Sequence, residues 1–135
     1  MLNKSRRKRC ETDLNVVYFA YHINGGGTMY KNIEKQTVLQ LKDLVEYQKG
    51  QVVSKTLVQN DHVSMTLFSF DKGEEISTHA SGGDAMVTVL DGMGRFTVGG
   101  EVFVLTAGET LIMPKDIPHA VYGEEQFKMQ LIVSF

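Results

Sequence analysis

The chain of 135 residues has no tryptophan, only two prolines and a single cysteine. One thiol, Cys10, excludes an internal disulfide and any cysteine-built zinc knuckle. Nothing in the cysteine usage points to an oxidising compartment. Both prolines, Pro114 and Pro118, stand in one short block, so no other segment has its backbone angle fixed by a ring. No apolar run approaches the roughly eighteen residues that a membrane-spanning helix needs. The early stretch Val16-Val17-Tyr18-Phe19-Ala20-Tyr21 follows basic residues, as the core of a signal peptide would. It is short, runs into His22 and Asn24, and lacks a small-x-small cleavage site. The sequence therefore predicts a cytoplasmic protein with no membrane partner.

Positive charge is scarce beyond the start. Lys4, Arg6, Arg7, Lys8 and Arg9 give the first ten residues five positive charges, while the rest holds nine basic against sixteen acidic residues. An acidic body argues against a nucleic-acid partner, because phosphate contacts need a basic face. The basic head reads as a solvated tail. At this length one domain is expected, with about two thirds of its unfolded surface buried.

What the chain does have is glycine, thirteen residues placed as punctuation between short apolar runs. Residues 1–28 read as a basic, flexible N-terminal arm, 29–50 as a lead-in segment, and 51–135 as an all-β barrel. In the lead-in, Val38, Leu41, Val45 and Gln48 fit a loose helical stripe after Thr37, though an extended strand is equally allowed. Strands are expected over Gln51–Gln59, Val63–Phe70, Ala85–Leu90, Thr110–Met113 and Phe127–Phe135. Asp91-Gly92 is expected to end the third of these. Gly99-Gly100 suits a tight hairpin between Phe96-Thr97-Val98 and Val102-Phe103-Val104. Many short strands separated by turn signals predict a sandwich or barrel.

The candidate chemistry lies with His79 and His119. Imidazole is both a ligand for transition metals and a general acid–base near neutral pH. Strand alternation would point His79 and Ser81 to one face. The Pro114–Pro118 segment would fix where His119 lands. Two such rings on adjacent strands could converge, or simply complete a polar patch in a barrel mouth. His22 and His62 read as surface residues. Met65, Met86, Met113 and Met129 read first as core packing, with Met65 and Met129 also candidates for lining an apolar pocket. Glu74-Glu75 and Glu124-Glu125 read as solvated turn charges.

The spacing from Gly73 to Gly123 resembles the paired motifs of the cupin family, of the small single-domain, conserved-barrel type (cupin 2, RmlC-like). Its first motif is Gly, five residues, His, one residue, His, three or four residues, Glu, six residues, Gly. It falls on Gly73, His79, Ser81, Ala85 and Gly92. Its second is Gly, five residues, Pro, one residue, Gly, two residues, His, three residues, Asn. It falls on Gly108, Pro114, Asp116, His119 and Gly123.

The resemblance implies a small antiparallel jelly-roll β-barrel, commonly a homodimer, with metal ligands at His79 and His119. Ser81 and Ala85 stand where the family has a second His and a Glu, so the ligand set is incomplete. Two imidazoles give a weak, exchangeable site for one divalent transition metal. Asp84 could supply a carboxylate only if Gly82-Gly83 bulges the strand. The function implied is small-molecule binding in a two-histidine pocket, with Ser81, Met65 and Met129 as further contacts. The alternative is a metal-dependent isomerase, lyase or dioxygenase using His79 and His119. Apolar strand faces around Val52, Leu57, Phe68 and Phe70 would supply the dimer interface.

Overall fold

The computed structural model describes residues 29–135, so the basic arm over 1–28, with Cys10 and His22, lies outside the described residues. The seven strands are β1 (Val52–Gln59), β2 (Val63–Phe70), β3 (Glu75–His79), β4 (Asp84–Val98), β5 (Glu101–Thr106), β6 (Thr110–Met113) and β7 (His119–Ser134). All pairings are antiparallel.

Two long strands organise the sheet. β4 and β7 pair along their whole length, from Asp84↔Ser134 to Val98↔His119. Each is shared between two groups of neighbours. The first half of β4 also pairs β6, and its second half pairs β5. The first half of β7 also pairs β3, and its second half pairs β2, which in turn pairs β1. The sheet therefore turns over on itself into two facing layers, the jelly-roll arrangement. It does not close into a sealed ring, since β1 and β5 end the path.

The turn signal at Asp91-Gly92 does not end β4, as the sequence predicts, but bends it. The β4–β7 register shifts between Val89 and Asp91 and again between Gly92 and Gly94. Gly92 takes φ +74, a left-handed value that a side chain resists. An added Cβ there would fall inside the Gln126 carbonyl. A bulge lets one strand change layers without breaking. In the same way β7 begins at His119, eight residues before the strand expected at Phe127. The Gly99-Gly100 hairpin forms as expected, with φ +55 and +83 at its two glycines.

Strand alternation divides the apolar residues between two cores. Phe70, Ala85, Val87, Val89, Phe96, Phe127 and Met129 belong to the interior cluster between the layers. On the opposite face of β2, Leu67 joins Leu57 and Val45 in a second cluster, with Met65 packed against it. The lead-in covers that outer face through Ile33, Leu41, Leu44 and Val45. It does so with a single 3-10 turn, Leu41–Leu44, rather than a helix. Val38, the first residue of the expected stripe, is fully exposed. Leu57 and Phe70, expected in a dimer interface, are buried within the chain's own two cores. They are unavailable to a partner because the lead-in and the facing layer already cover them.

Polar contacts fasten the lead-in. The buried Ser69 hydroxyl donates to the Glu46 carbonyl at 2.6 Å, and Lys55 Nζ to the Leu44 carbonyl at 3.1 Å. Tyr47 donates its hydroxyl to Asp91 Oδ2 at 2.6 Å. Burial, then the hydrogen bond and charge of Asp91, push the Tyr47 phenol far above its ordinary value, so it stays protonated. Lys128 lies over the Tyr47 ring at 4.9 Å. Tyr47→Phe keeps the ring and removes the donor. It is expected to lower stability by about 1 kcal/mol, seen as a lower urea midpoint with an unchanged slope.

Candidate functional site

Two histidines separated by forty positions meet because β3 lies on β7. The ladder pairs Ile76 with Val121 and His79 with His119, so β3 carries one extra residue between these pairs. Without the bulge Thr78 would face His119, and His79 would turn outward. Period-two alternation alone therefore misplaces this side chain. With the bulge, the two ring centroids stand 4.4 Å apart, edge to face at 69°. Val121 and Ile76, one pair further along, belong to or pack on the interior cluster. The histidines thus continue the inner face one ladder pair beyond that cluster.

Each ring is held by the same local device. His79 Nδ1 lies 2.8 Å from the Ser77 carbonyl, and His119 Nδ1 lies 3.1 Å from the Ile117 carbonyl. A carbonyl only accepts, so both Nδ1 atoms carry the hydrogen, and both Nε2 atoms keep a free lone pair. This backbone anchoring is what the sequence could not reveal, because Ser77 and Ile117 contribute no side-chain group.

The surroundings differ for the two rings. His79 is exposed, whereas His119 is only 3% exposed. Burial holds the His119 imidazole below its ordinary value, His79 adds to this, and the Ile117 hydrogen bond opposes it. His119 is therefore neutral at pH 7. Among the described residues no buried side-chain nitrogen or oxygen lacks a hydrogen-bond partner. The one hydrogen bond of the His119 ring is through Nδ1, so its Nε2 is not fully enclosed.

Three loops form the rim. The Gly99 amide donates to the Pro118 carbonyl at 2.9 Å, and the Asp116 amide to the Ser81 carbonyl at 3.0 Å. Asp116 occupies the family's glycine position with φ +63, a conformation Asp tolerates better than most residues. The Gly123 amide donates to the Glu74 carbonyl at 2.9 Å, and its own carbonyl accepts from the Gly73 amide at 2.8 Å. A Cβ at Gly123 would lie 2.7 Å from the Asp71 carbonyl oxygen. Glycine at the family's Asn position is therefore a packing requirement here.

The other candidates are placed as follows. Ser81 lies beyond the end of β3, and its hydroxyl donates to the Gly83 carbonyl at 2.7 Å. Ala85 is in the interior core. Asp84 is exposed and its Oδ1 accepts from the Lys115 amide at 2.9 Å, tying the rim rather than joining the rings. Met129 is buried in the interior cluster, ten positions along β7 from His119. That is on the order of 33 Å of strand at about 3.3 Å per residue. Met65 packs against the other cluster, on the outer face of β2. The fold brings neither methionine to the histidine pair. His62 is exposed in its turn, with its amide held by the Asn60 side chain. Among the described residues no group of three or more His, Cys, Asp or Glu side chains could hold a metal ion.

The cupin domain family model matches residues 66–135. The fold superposes with a TM-score of 0.78 on a conserved protein of unknown function from Streptococcus pyogenes, 44% identical, covering 80% of this chain and 95% of that one. A cupin superfamily protein from Desulfitobacterium hafniense is 32% identical with a TM-score of 0.76, covering 80% of this chain and 99% of that one. A cupin 2 conserved barrel domain protein from Leptotrichia buccalis is 47% identical with a TM-score of 0.71, covering 72% of this chain and 47% of that one. None of the curated proteins matches the chain. No helix of the described residues is long and apolar enough to cross a membrane.

Proposed function

The chain belongs to the cupin family, and from that membership we propose that it binds a small molecule at the barrel mouth through His79 and His119. The observation that carries this is the ring pair itself. Two imidazoles 4.4 Å apart each have Nδ1 committed to a carbonyl and Nε2 left free. The apolar body of a ligand would meet Ile76 and Val98, which pack at the edge of the interior cluster. Ser81 serves at the rim. On this reading the protein is a homodimer, as the family likeness suggests, and cytoplasmic, as the absence of a signal-peptide pattern in the sequence suggests.

The residues present do not fit a tightly held metal. A stable transition-metal site generally needs three or four protein ligands. Here the Ser81 hydroxyl and the Asp84 carboxylate are already engaged with backbone groups, and Ala85 has no donor. A divalent ion would find two nitrogens and exchange freely. An isomerase, lyase or dioxygenase that depends on a resident metal would need a further ligand.

The test is the metal content of the purified protein, followed by zinc titration of the wild type, His79→Ala and His119→Ala. The expected result is far less than one ion per chain on isolation. Added zinc should bind weakly at pH 8, and each variant should lose that binding. One ion per chain that survives dialysis, and is lost in both variants, would refute the metal-free pocket.

A further inference from the structure

The hydrogen-bond pattern of the two rings limits what they can recognise. A neutral imidazole has one N–H and one lone pair. At His79 and His119 the N–H is spent on the Ser77 and Ile117 carbonyls. What each ring can offer a ligand is therefore an acceptor. No carboxylate stands with the pair to favour a second proton, since the described residues contain no cluster of three His, Cys, Asp or Glu side chains. Asp84 is turned to the Lys115 amide, Glu75 opens β3 at the end away from His79, and Glu74 precedes it. The rim contributes little else, because the Ser81 hydroxyl already donates to Gly83.

The His119 Nε2 is the sharper constraint. It has no protein partner, yet its residue is 3% exposed. An acceptor on so nearly buried a residue, with no protein donor beside it, is satisfied only by water or by a ligand. A ligand oxygen without a hydrogen would face the lone pair and leave both atoms unpaired. A ligand hydroxyl or N–H would satisfy it. His79, at 4.4 Å and exposed, can take a second hydrogen from the same molecule. The aliphatic neighbours Ile76 and Val98 leave the rest of the ligand an apolar wall.

From this we infer that the pair is an acceptor-only site, selecting a ligand that carries paired hydrogen-bond donors on an apolar body over a carboxylate or phosphate. A vicinal diol on a hydrocarbon ring is the simplest such molecule. The inference rests on the pocket reading above and adds the chemical class of the ligand.

Two probes of similar bulk test it at pH 8: cis-1,2-cyclohexanediol and cyclohexanecarboxylate. The full-length protein is labelled with nitrogen-15 in its histidines, and the ring signals are followed by NMR during titration. In the free protein both rings should show the hydrogen on Nδ1. The diol should then move the His79 and His119 Nε2 signals, with a Kd at least about tenfold below that of the carboxylate, the loss of one satisfied hydrogen bond. His79→Ala, a change at an exposed position, should weaken the diol by a similar factor while leaving the His119 hydrogen on Nδ1, where the Ile117 carbonyl holds it. Carboxylate binding as tight as the diol, or a hydrogen found on Nε2, would overturn the ligand class while leaving the pocket intact. If neither compound moves either ring, the pocket reading itself fails.

Discussion

Phe127→Ala is expected to cost about 3–5 kcal/mol of stability, towards the upper end for a large-to-small core change. The ring is fully buried and stacks on Phe70 with centroids 4.5 Å apart, while Phe96 meets it edge-on at 6.0 Å. The cost depends on whether the surroundings can collapse into the space. Here one wall is backbone. A Cβ added at Gly94 would lie 2.7 Å from the Phe127 ring, so the β4 main chain passes directly against it. Main chain held in two ladders cannot move in to fill the void. Small domains have about 5–15 kcal/mol in all, so this one ring accounts for a large share. Urea unfolding should show the loss directly, and thermal unfolding a fall in Tm of more than about 10 °C. A change below about 1 kcal/mol would mean that the interior repacks freely.

Gly92→Ala is expected to cost about 3 kcal/mol or more, although it adds a single methyl group. Two penalties act together. The residue sits at φ +74, where an L side chain costs roughly 1–2 kcal/mol. The new Cβ would also overlap the Gln126 carbonyl and lie 2.8 Å from Phe127 Cα. Both neighbours are backbone of β7, so relief requires the two long strands to part at their bend. Overpacking of this kind typically costs a further 1–3 kcal/mol or so. Gly100→Ala supplies the control. It shares the left-handed backbone, at φ +83, but has nothing within 4 Å of the new methyl. Its loss should be about 1–2 kcal/mol. Equal losses at the two positions, measured by the same denaturant midpoints, would show that the close approach at Gly92 contributes nothing.

These two glycine positions also show what the sequence could and could not convey. Gly92 and Gly123 were readable as punctuation at a family spacing, and the all-β barrel followed from the many short apolar runs. A glycine that ends a strand and one that bends it look alike, because both reflect the same tolerance of unusual backbone angles. Hence β4 reads as six residues in sequence, yet runs from Asp84 to Val98. The lead-in was ambiguous for a different reason. Its apolar residues answer to the outer face of β1 and β2, and Ile33, Leu41 and Val45 reach that face without a regular period.

For the candidate site, the histidines were legible by residue type and spacing, but their approach was not. It depends on one extra residue in β3, which no periodic pattern announces. The methionines misled because hydrophobic character carries no information about which side of a sheet is the inside. Met65 looks like a pocket residue until the lead-in is seen to create a second core behind β2, whereas Met129 is interior but ten positions along β7 from His119.

β7 is the last strand in chain order among those described, yet it lies in the middle of the molecule, bonded to β2, β3 and β4. During synthesis the ribosome therefore releases β1 to β6 before the strand that joins them exists. Val63 and Asp84 both wait for the same residue, Ser134. Until it emerges, the apolar faces of β2 and β4 stay open, and the inner faces of the two layers have nothing to hold them in register. The hairpins β1–β2 and β4–β5 can pair earlier, but the two layers are joined only through β7, and His119 is put in place beside His79 only then. The chain therefore depends on β7 both for its core and for its site.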